Sequence, residues 1–240
     1  NHGVRADLLG RALLSLVPAG IRQFLRRLKR RVTQSIDRSC DAPRVALLAS
    51  TGKGLRRWKE VGTLDRELTL YRALARRGWE VTVYSYDRPP TCPDVGENIE
   101  VVPGLPFRIP RRLVPLYCLV RPFLDLGSGL KQSVIITNQA HSGWPAVWMK
   151  KVWNTKVIAR CGYVLGERAE TLGDTDMRVR IGTELEKWTH RLADASMVPT
   201  RELAAWCWDN YNLLPERLRV APNFVDVEEF KRDTDCEEDI

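Results

Sequence analysis

Three groups of residues have types and spacing suited to chemistry. Arg160, Cys161, Gly162 and Tyr163 stand in a row after the apolar run 157–159, offering a cation, a thiol, a flexible turn and a phenol. The planar guanidinium fork suits a carboxylate or a phosphate. Asn138 and Gln139 follow a second apolar run, 134–136, with side chains that both donate and accept hydrogen bonds. The third group lies in residues 51–62, read here as a loop. There Gly52, Gly54 and Gly62 let backbone N–H groups approach a phosphate or sugar, with Arg57 and Lys59 adding charge. It is not a dinucleotide fingerprint, which needs glycine at Arg57. It is not a Walker loop either, since Gly52 and Lys53 are followed by Gly54, and position 47 is leucine.

Each group has a plainer alternative. Asn138 can cap a turn, Arg160 can pair with an acid such as Glu167, and Cys161 can be a small core residue. A thiol nucleophile needs a nearby base, and the sequence leaves open whether His141 or His190 supplies it. His190 follows Glu186 by four residues on an expected helix, which reads as an ordinary surface pair. The six cysteines lie far apart and form no ligand ladder with the three histidines, so no metal is expected and the thiols read as reduced and cytosolic.

Strand ends must hold such residues, and the chain supplies them. Short apolar runs at 45–49, 80–86, 99–102, 133–137, 156–160, 196–199 and 219–222 alternate with helical patterns at 63–77, 111–124, 145–152, 175–193 and 200–211. The helix at 63–77 shows Leu64, Leu68, Tyr71, Leu74 and Ala75 on one face and Gly78 as its stop. Unbroken apolar strands joined by helices imply an α/β fold with one Rossmann-like, doubly wound, mainly parallel sheet over residues 43–226. Ligands bind such sheets at the carboxyl ends of the strands.

The formal charge of +8 is concentrated in one place. Residues 1–40 hold nine basic and two acidic residues, a net of +7, so residues 41–240 are nearly neutral. This weakens the step from high pI to nucleic-acid binding, and no nucleic-acid partner is expected. Residues 1–42 read as a basic amphipathic helical arm and linker. Its second helix sets Ile21, Phe24, Leu25, Leu28 and Val32 against Arg22, Arg26, Lys29 and Arg30. That arm, and the segment 107–124 with Arg111, Arg112 and Arg121, are suited to an anionic membrane surface or to ordinary packing on the domain. No apolar run is long enough to cross a bilayer, and a cytoplasmic protein, peripheral on the inner face of the membrane, is expected.

Several motifs resemble one family. The unit 45–78, with Gly62, Arg66, Glu67, Leu70, Tyr71 and Gly78, is similar to the start of the N-terminal domain of bacterial family 4 glycosyltransferases of GT-B fold. Residues 193–200, then Pro222, Asn223, Val225, Asp226 and Phe230, resemble that domain's end and its crossing into a second domain. Residues 135–139 and 160–163 match a bacterial subgroup. The resemblance implies a hexosyltransferase whose N-terminal domain binds a lipid-linked or polysaccharide acceptor, in envelope assembly. It implies that a nucleotide-sugar serves as co-substrate without a further cofactor, held mainly by the second domain.

Carried over by position, the resemblance puts Gly52, Gly54, Arg57, Lys59 and Gly62 near the donor diphosphate. Asn138, Gln139 and Tyr163 fall on the acceptor side, with Arg160 as a candidate for charge stabilisation. Many relatives carry a histidine at the strand end matching 160–162, and this chain does not. Residues 227–240 read as a junction and acidic tail without the donor domain, so Glu229 and Glu237 match the family's Glu pair in spacing only. The reading is thus half an enzyme, inactive alone. A non-catalytic partner that docks a separate donor-binding domain is the alternative.

Overall fold

The computed structural model describes residues 42–50, 54–88, 92–104, 109–129 and 132–223. The arm residues Arg22, Arg26, Lys29 and Arg30, the loop residue Gly52 and the tail 227–240 lie outside these. Strands form at β1 (Arg44–Leu48), β2 (Glu80–Tyr84), β3 (Ile99–Val102), β4 (Val134–Thr137), β5 (Lys156–Arg160), β6 (Ala195–Val198) and β7 (Leu218–Val220). They make one sheet in the order β3-β2-β1-β4-β5-β6-β7. Every pairing among them is parallel.

The apolar runs become central strands because both faces of the sheet are covered. Along β1, Val45 and Leu47 face one side, with Ala49 just beyond. There they pack with Leu55 and Trp58 of α1 (Leu55–Glu60) and Leu64, Leu68, Tyr71 and Ala75 of α2 (Leu64–Arg76). Ala46 and Leu48 face the other side. They join a core with Leu126 of α4 (Leu126–Gly129), which follows α3 (Val114–Leu124), and with Ala146, Met149 and Trp153 of α5 (Trp144–Trp153). A third cluster closes the far side of the sheet. It sets Cys161, Val164 and Val198 against Cys207 and Tyr211 of α8 (Arg201–Tyr211), which follows α6 (Leu165–Leu172) and α7 (Met177–Leu192).

Helix ends follow local chemistry. Gly78 adopts φ +84° just after α2, a left-handed conformation that stops the helix at little cost for glycine. The Thr200 side chain accepts from Leu203 N at 3.2 Å and caps α8. Asp176 does the same for α7 through Arg178 N at 2.7 Å.

Four expectations are corrected. Residues 55–60, read as loop, form α1, because Leu55 and Trp58 anchor one face in the core while Arg56 and Glu60 pair at 2.9 Å outside. A separate α6 precedes the long polar helix. Glu186 and His190 are not a surface pair, since both are buried within α7. Arg121 does not join a surface face. It is fully buried, with Nε donating to Asp125 Oδ2 at 2.9 Å, Nη1 to Ser85 O, and Nη2 to Val102 O at 3.0 Å and Pro103 O at 3.4 Å.

Candidate functional site

The sheet order reverses between β1 and β4, and the carboxyl ends of β1, β4 and β5 meet there. β4 delivers Thr137, Asn138 and Gln139, and neighbouring β5 delivers Arg160 to Tyr163. The Thr137 hydroxyl ties the two tips together, accepting from Arg160 N and donating to Arg160 O, each at 3.0 Å. Beyond it, Gly162 N donates to Gln139 Oε1 at 3.2 Å, and Asn223 Nδ2 donates to Gly162 O at 3.1 Å. Both backbone polar groups of Gly162 are therefore held by side chains, one from the tip of neighbouring β4 and one from the segment after β7.

Arg160 is a partly engaged cation. Its Nη1 donates to Glu67 Oε2 of α2 and to Asn138 Oδ1, 3.4 Å each. Its Nε and Nη2 make no hydrogen bond among the described residues. The side chains of Arg160 and Glu67 are 18% and 13% exposed. Glu67 is shared with Arg66 Nη2 at 3.0 Å, so two guanidiniums meet one carboxylate and the cluster carries a net positive charge. The pair Arg160–Glu67, 93 residues apart in sequence, replaces the expected partner Glu167. That residue instead accepts from Thr171 Oγ1 at 3.1 Å.

Two buried hydroxyls border the cluster. Tyr71 stands one turn after Glu67 and is 2% exposed, and its phenol has no hydrogen-bond partner among the described residues. Burial pushes its pKa well up, with Arg160 pulling it back and Glu67 adding to the rise. Ser50, just beyond β1, is equally buried and its hydroxyl is likewise without a partner. Sequence reading missed both as site residues, because Tyr71 reads as one apolar position of an amphipathic helix.

Tyr163 lies half-buried, its ring 5.9 Å from that of His141 and 5.6 Å from the Arg168 guanidinium carbon. Burial raises its pKa. Cys161 is a core residue. Its thiol faces Met197 O at 3.7 Å, and burial drives its pKa far above the usual range, so the thiolate needed by a nucleophile is suppressed. His190 is buried elsewhere, its Nδ1 3.0 Å from Ser196 Oγ.

The glycine-bearing segment is divided by α1. Gly54 sits at the helix start, where an added Cβ would lie 2.4 Å from an Asp87 carboxylate oxygen. Asp87 accepts from Arg56 N at 3.2 Å and from Ser85 Oγ, so one of the first-turn amides of α1 already has an anionic partner. Arg57 and Lys59 are exposed on α1, with Arg57 pairing Glu60 at 3.4 Å. Gly62 lies past the opposite end of α1, at φ +70°, and the structure does not bring it to Gly54. Arg112 is exposed in the turn Arg111–Leu113, and the Arg111 side chain lies outside the described residues.

A depression of about 660 Å³, lined by Trp79, Glu80, Asn98 and Glu100 among others, opens at the amino ends of β2 and β3. It lies at the wrong end of the strands for a doubly wound sheet. The candidate site is therefore taken at the carboxyl ends.

The model of Glycosyltransferase Family 4 matches residues 68–229, a span that takes in most of the fold and every strand tip of the cluster except that of β1. The chain belongs to glycosyltransferase family 4. Solved structures agree with the family 4 assignment at the level of fold. Sucrose-phosphate synthase from Thermosynechococcus elongatus superposes with a TM-score of 0.59 at 16% identity, over 78% of this chain and 49% of that one. A shorter chain of the same synthase gives 0.50 at 19% identity over 78% and 92%. A glycosyltransferase from Rickettsia africae ESF-5 gives 0.51 at 10% identity over 80% and 45%. This chain therefore spans about half the length of the full synthase. Curated proteins yield no match. The family 4 fold seen here is the α/β Rossmann-like type of GT-B glycosyltransferases.

Proposed function

We propose that the chain is the acceptor-binding half of a glycosyltransferase that moves a hexose from a nucleotide-sugar to a lipid-linked or polysaccharide acceptor. It works at the inner face of the membrane and is inactive alone. The observation that carries this reading is the cluster at the reversal of the sheet, where one incompletely paired guanidinium stands beside two amide side chains in a family 4 fold.

Each group has a task suited to its chemistry. The amide groups of Asn138 and Gln139 and the phenol of Tyr163 orient acceptor hydroxyls. The Nε and Nη2 of Arg160 face charge that builds on a phosphate or on the reacting oxygen during transfer, and a fixed cation lowers the energy of that charge. Gly54 at the start of α1, with Arg57 and Lys59 on that helix, lies on the donor side. A second domain holds most of the nucleotide-sugar, and no resident cofactor is needed.

Hexose transfer to polyprenyl-linked and glycan acceptors tests this. The protein extended by a second domain should turn over, and the 240-residue chain should not. Arg160→Ala in the extended protein should lower kcat/KM by about 100-fold. Turnover by the 240-residue chain would overturn the half-enzyme reading. Unchanged kcat/KM in Arg160→Ala would remove Arg160 from the reaction.

A further inference from the structure

Helix α3 turns its one internal cation inward and presents an apolar face to solvent. Leu113, Leu116, Leu119, Val120 and Leu124 are 43% to 59% exposed. Their spacing of three and four residues sets them along one stripe. The opposite face is fixed to the domain. Cys118, Arg121 and Pro122 are buried there. Trp148 Nε1 donates to Leu119 O at 2.8 Å and Trp153 Nε1 to Pro122 O at 2.7 Å, pinning α3 against α5. Arg121 is committed to Asp125 and to carbonyls at the ends of β2 and β3, so the helix cannot roll to hide the stripe.

The charge around the stripe is one-sided. Residues 109–124 contain no acid, and Arg121 is buried on the opposite face and adds nothing to this one. Arg112 is exposed at the amino end of the stripe. In a two-fold pairing of this face with itself, Arg112 would meet no carboxylate, because residues 109–124 hold none. An apolar stripe free of acids with a cation at its amino end complements a surface with an apolar interior and anionic heads.

We propose that the outer face of α3 is the surface through which this protein lies on an anionic lipid bilayer. The helix, about 16 Å long for its 11 residues, lies in the plane of the interface. The leucines enter the acyl boundary and Arg112 stays at headgroup level. This rests on the peripheral attachment proposed above and not on the sugar-transfer reaction.

Flotation with vesicles of phosphatidylcholine and phosphatidylglycerol in equal parts tests it, using the full chain. The wild type should float, and L116E/V120E should reduce the bound partition coefficient at least about tenfold, since binding scales with the apolar area inserted. Arg112→Ala should reduce it about fivefold on the mixed vesicles and leave binding to pure phosphatidylcholine unchanged. The substituted residues are exposed, and matching far-UV circular dichroism confirms an intact fold. Equal flotation of wild type and L116E/V120E overturns the assignment of α3 and leaves peripheral attachment standing. A wild type that does not float overturns both. Self-association that L116E/V120E abolishes, with flotation unchanged, assigns the stripe to a second copy and also overturns the proposal.

Discussion

Two arginines in this molecule show how differently one side chain can be used. Arg121 is fully buried, with all three of its nitrogens donating to Asp125 or to the carbonyls of Ser85, Val102 and Pro103. Its guanidinium also lies 4.9 to 5.9 Å from the ring centroids of Tyr84, Tyr86 and Tyr117. Arg160 engages a single nitrogen through two 3.4 Å contacts and shares its carboxylate with Arg66. A fully buried cation with every nitrogen bonded to its own chain is architecture, because no ligand can reach it. A cation held in place yet underused, at the carboxyl edge of the sheet, is available for one.

The largest effect should come from breaking the first of these. Arg121→Ala strands Asp125 and takes the guanidinium donors from the Ser85, Val102 and Pro103 carbonyls at the ends of β2 and β3, of which Val102 O keeps Ser85 N at 3.0 Å. Removing one partner of a buried pair costs about 3 to 5 kcal/mol, which urea denaturation should register as a large fall in midpoint. A loss below about 1 kcal/mol would mean that the network is not what holds α3.

A second buried polar region sharpens the contrast through pH. Burial lowers the pKa of His190 from 6.5 to about 4. Protonation would place N–H groups on both ring nitrogens, and Nε2 has no acceptor among the described residues. Between pH 6.5 and 4 the unfolded chain binds this proton and the folded chain does not, so stability falls as pH falls through that window. The contribution is full above about pH 6.5, and its loss approaches about 3 kcal/mol near pH 4. Denaturation midpoints of wild type and His190→Gln across this range should converge as the pH drops. Parallel curves would show that another group governs acid sensitivity.

Glu186 gives a smaller effect that is closer to the site. Its carboxylate accepts from Leu165 N at 2.8 Å, Gly166 N at 3.1 Å and the Tyr211 phenol at 2.7 Å, so it caps the start of α6 directly after the Gly162 turn. Glu186→Gln turns an amide NH2 toward these donors and should cost about 1 to 3 kcal/mol. Hydrogen exchange should quicken at the amides of Leu165 and Gly166 before it does in β1. Unchanged protection there would separate Glu186 from the turn.

These regions differ in how far the sequence reveals them. The strands were legible because a strand covered on both faces must be apolar at every position, as residues 45–49 are. The tips of β4 and β5 were legible as polar residues directly after such runs. Arg121 was not, because a charge on an apolar helix reads as a surface residue until strand ends distant in sequence supply its carbonyls. The same holds for Glu67, whose bond to Arg160 spans 93 residues. Helix α1 was hidden by the glycines on either side and by its own basic residues, since only two of its side chains, Leu55 and Trp58, are buried. Helix α6 is polar apart from its ends and Ala169, and its start depends on Glu186 of the next helix, 21 residues from Leu165. In each case the deciding contact joins segments that no local pattern connects.

The smallest expected stability change tests the comparison most directly. Arg160→Ala removes two long hydrogen bonds at a partly exposed position and leaves Glu67 still paired with Arg66 at 3.0 Å. The lost attraction is screened by solvent at the cleft, so the cost should be no more than about 1 kcal/mol. Thr137 still holds both backbone groups of residue 160, and the tip of β5 keeps its shape. A fold nearly unchanged beside a large loss of transfer would mark Arg160 as a group held for a ligand. A stability loss approaching that of Arg121→Ala would instead place it among the groups that hold the fold, because both arginines would then be doing the same work.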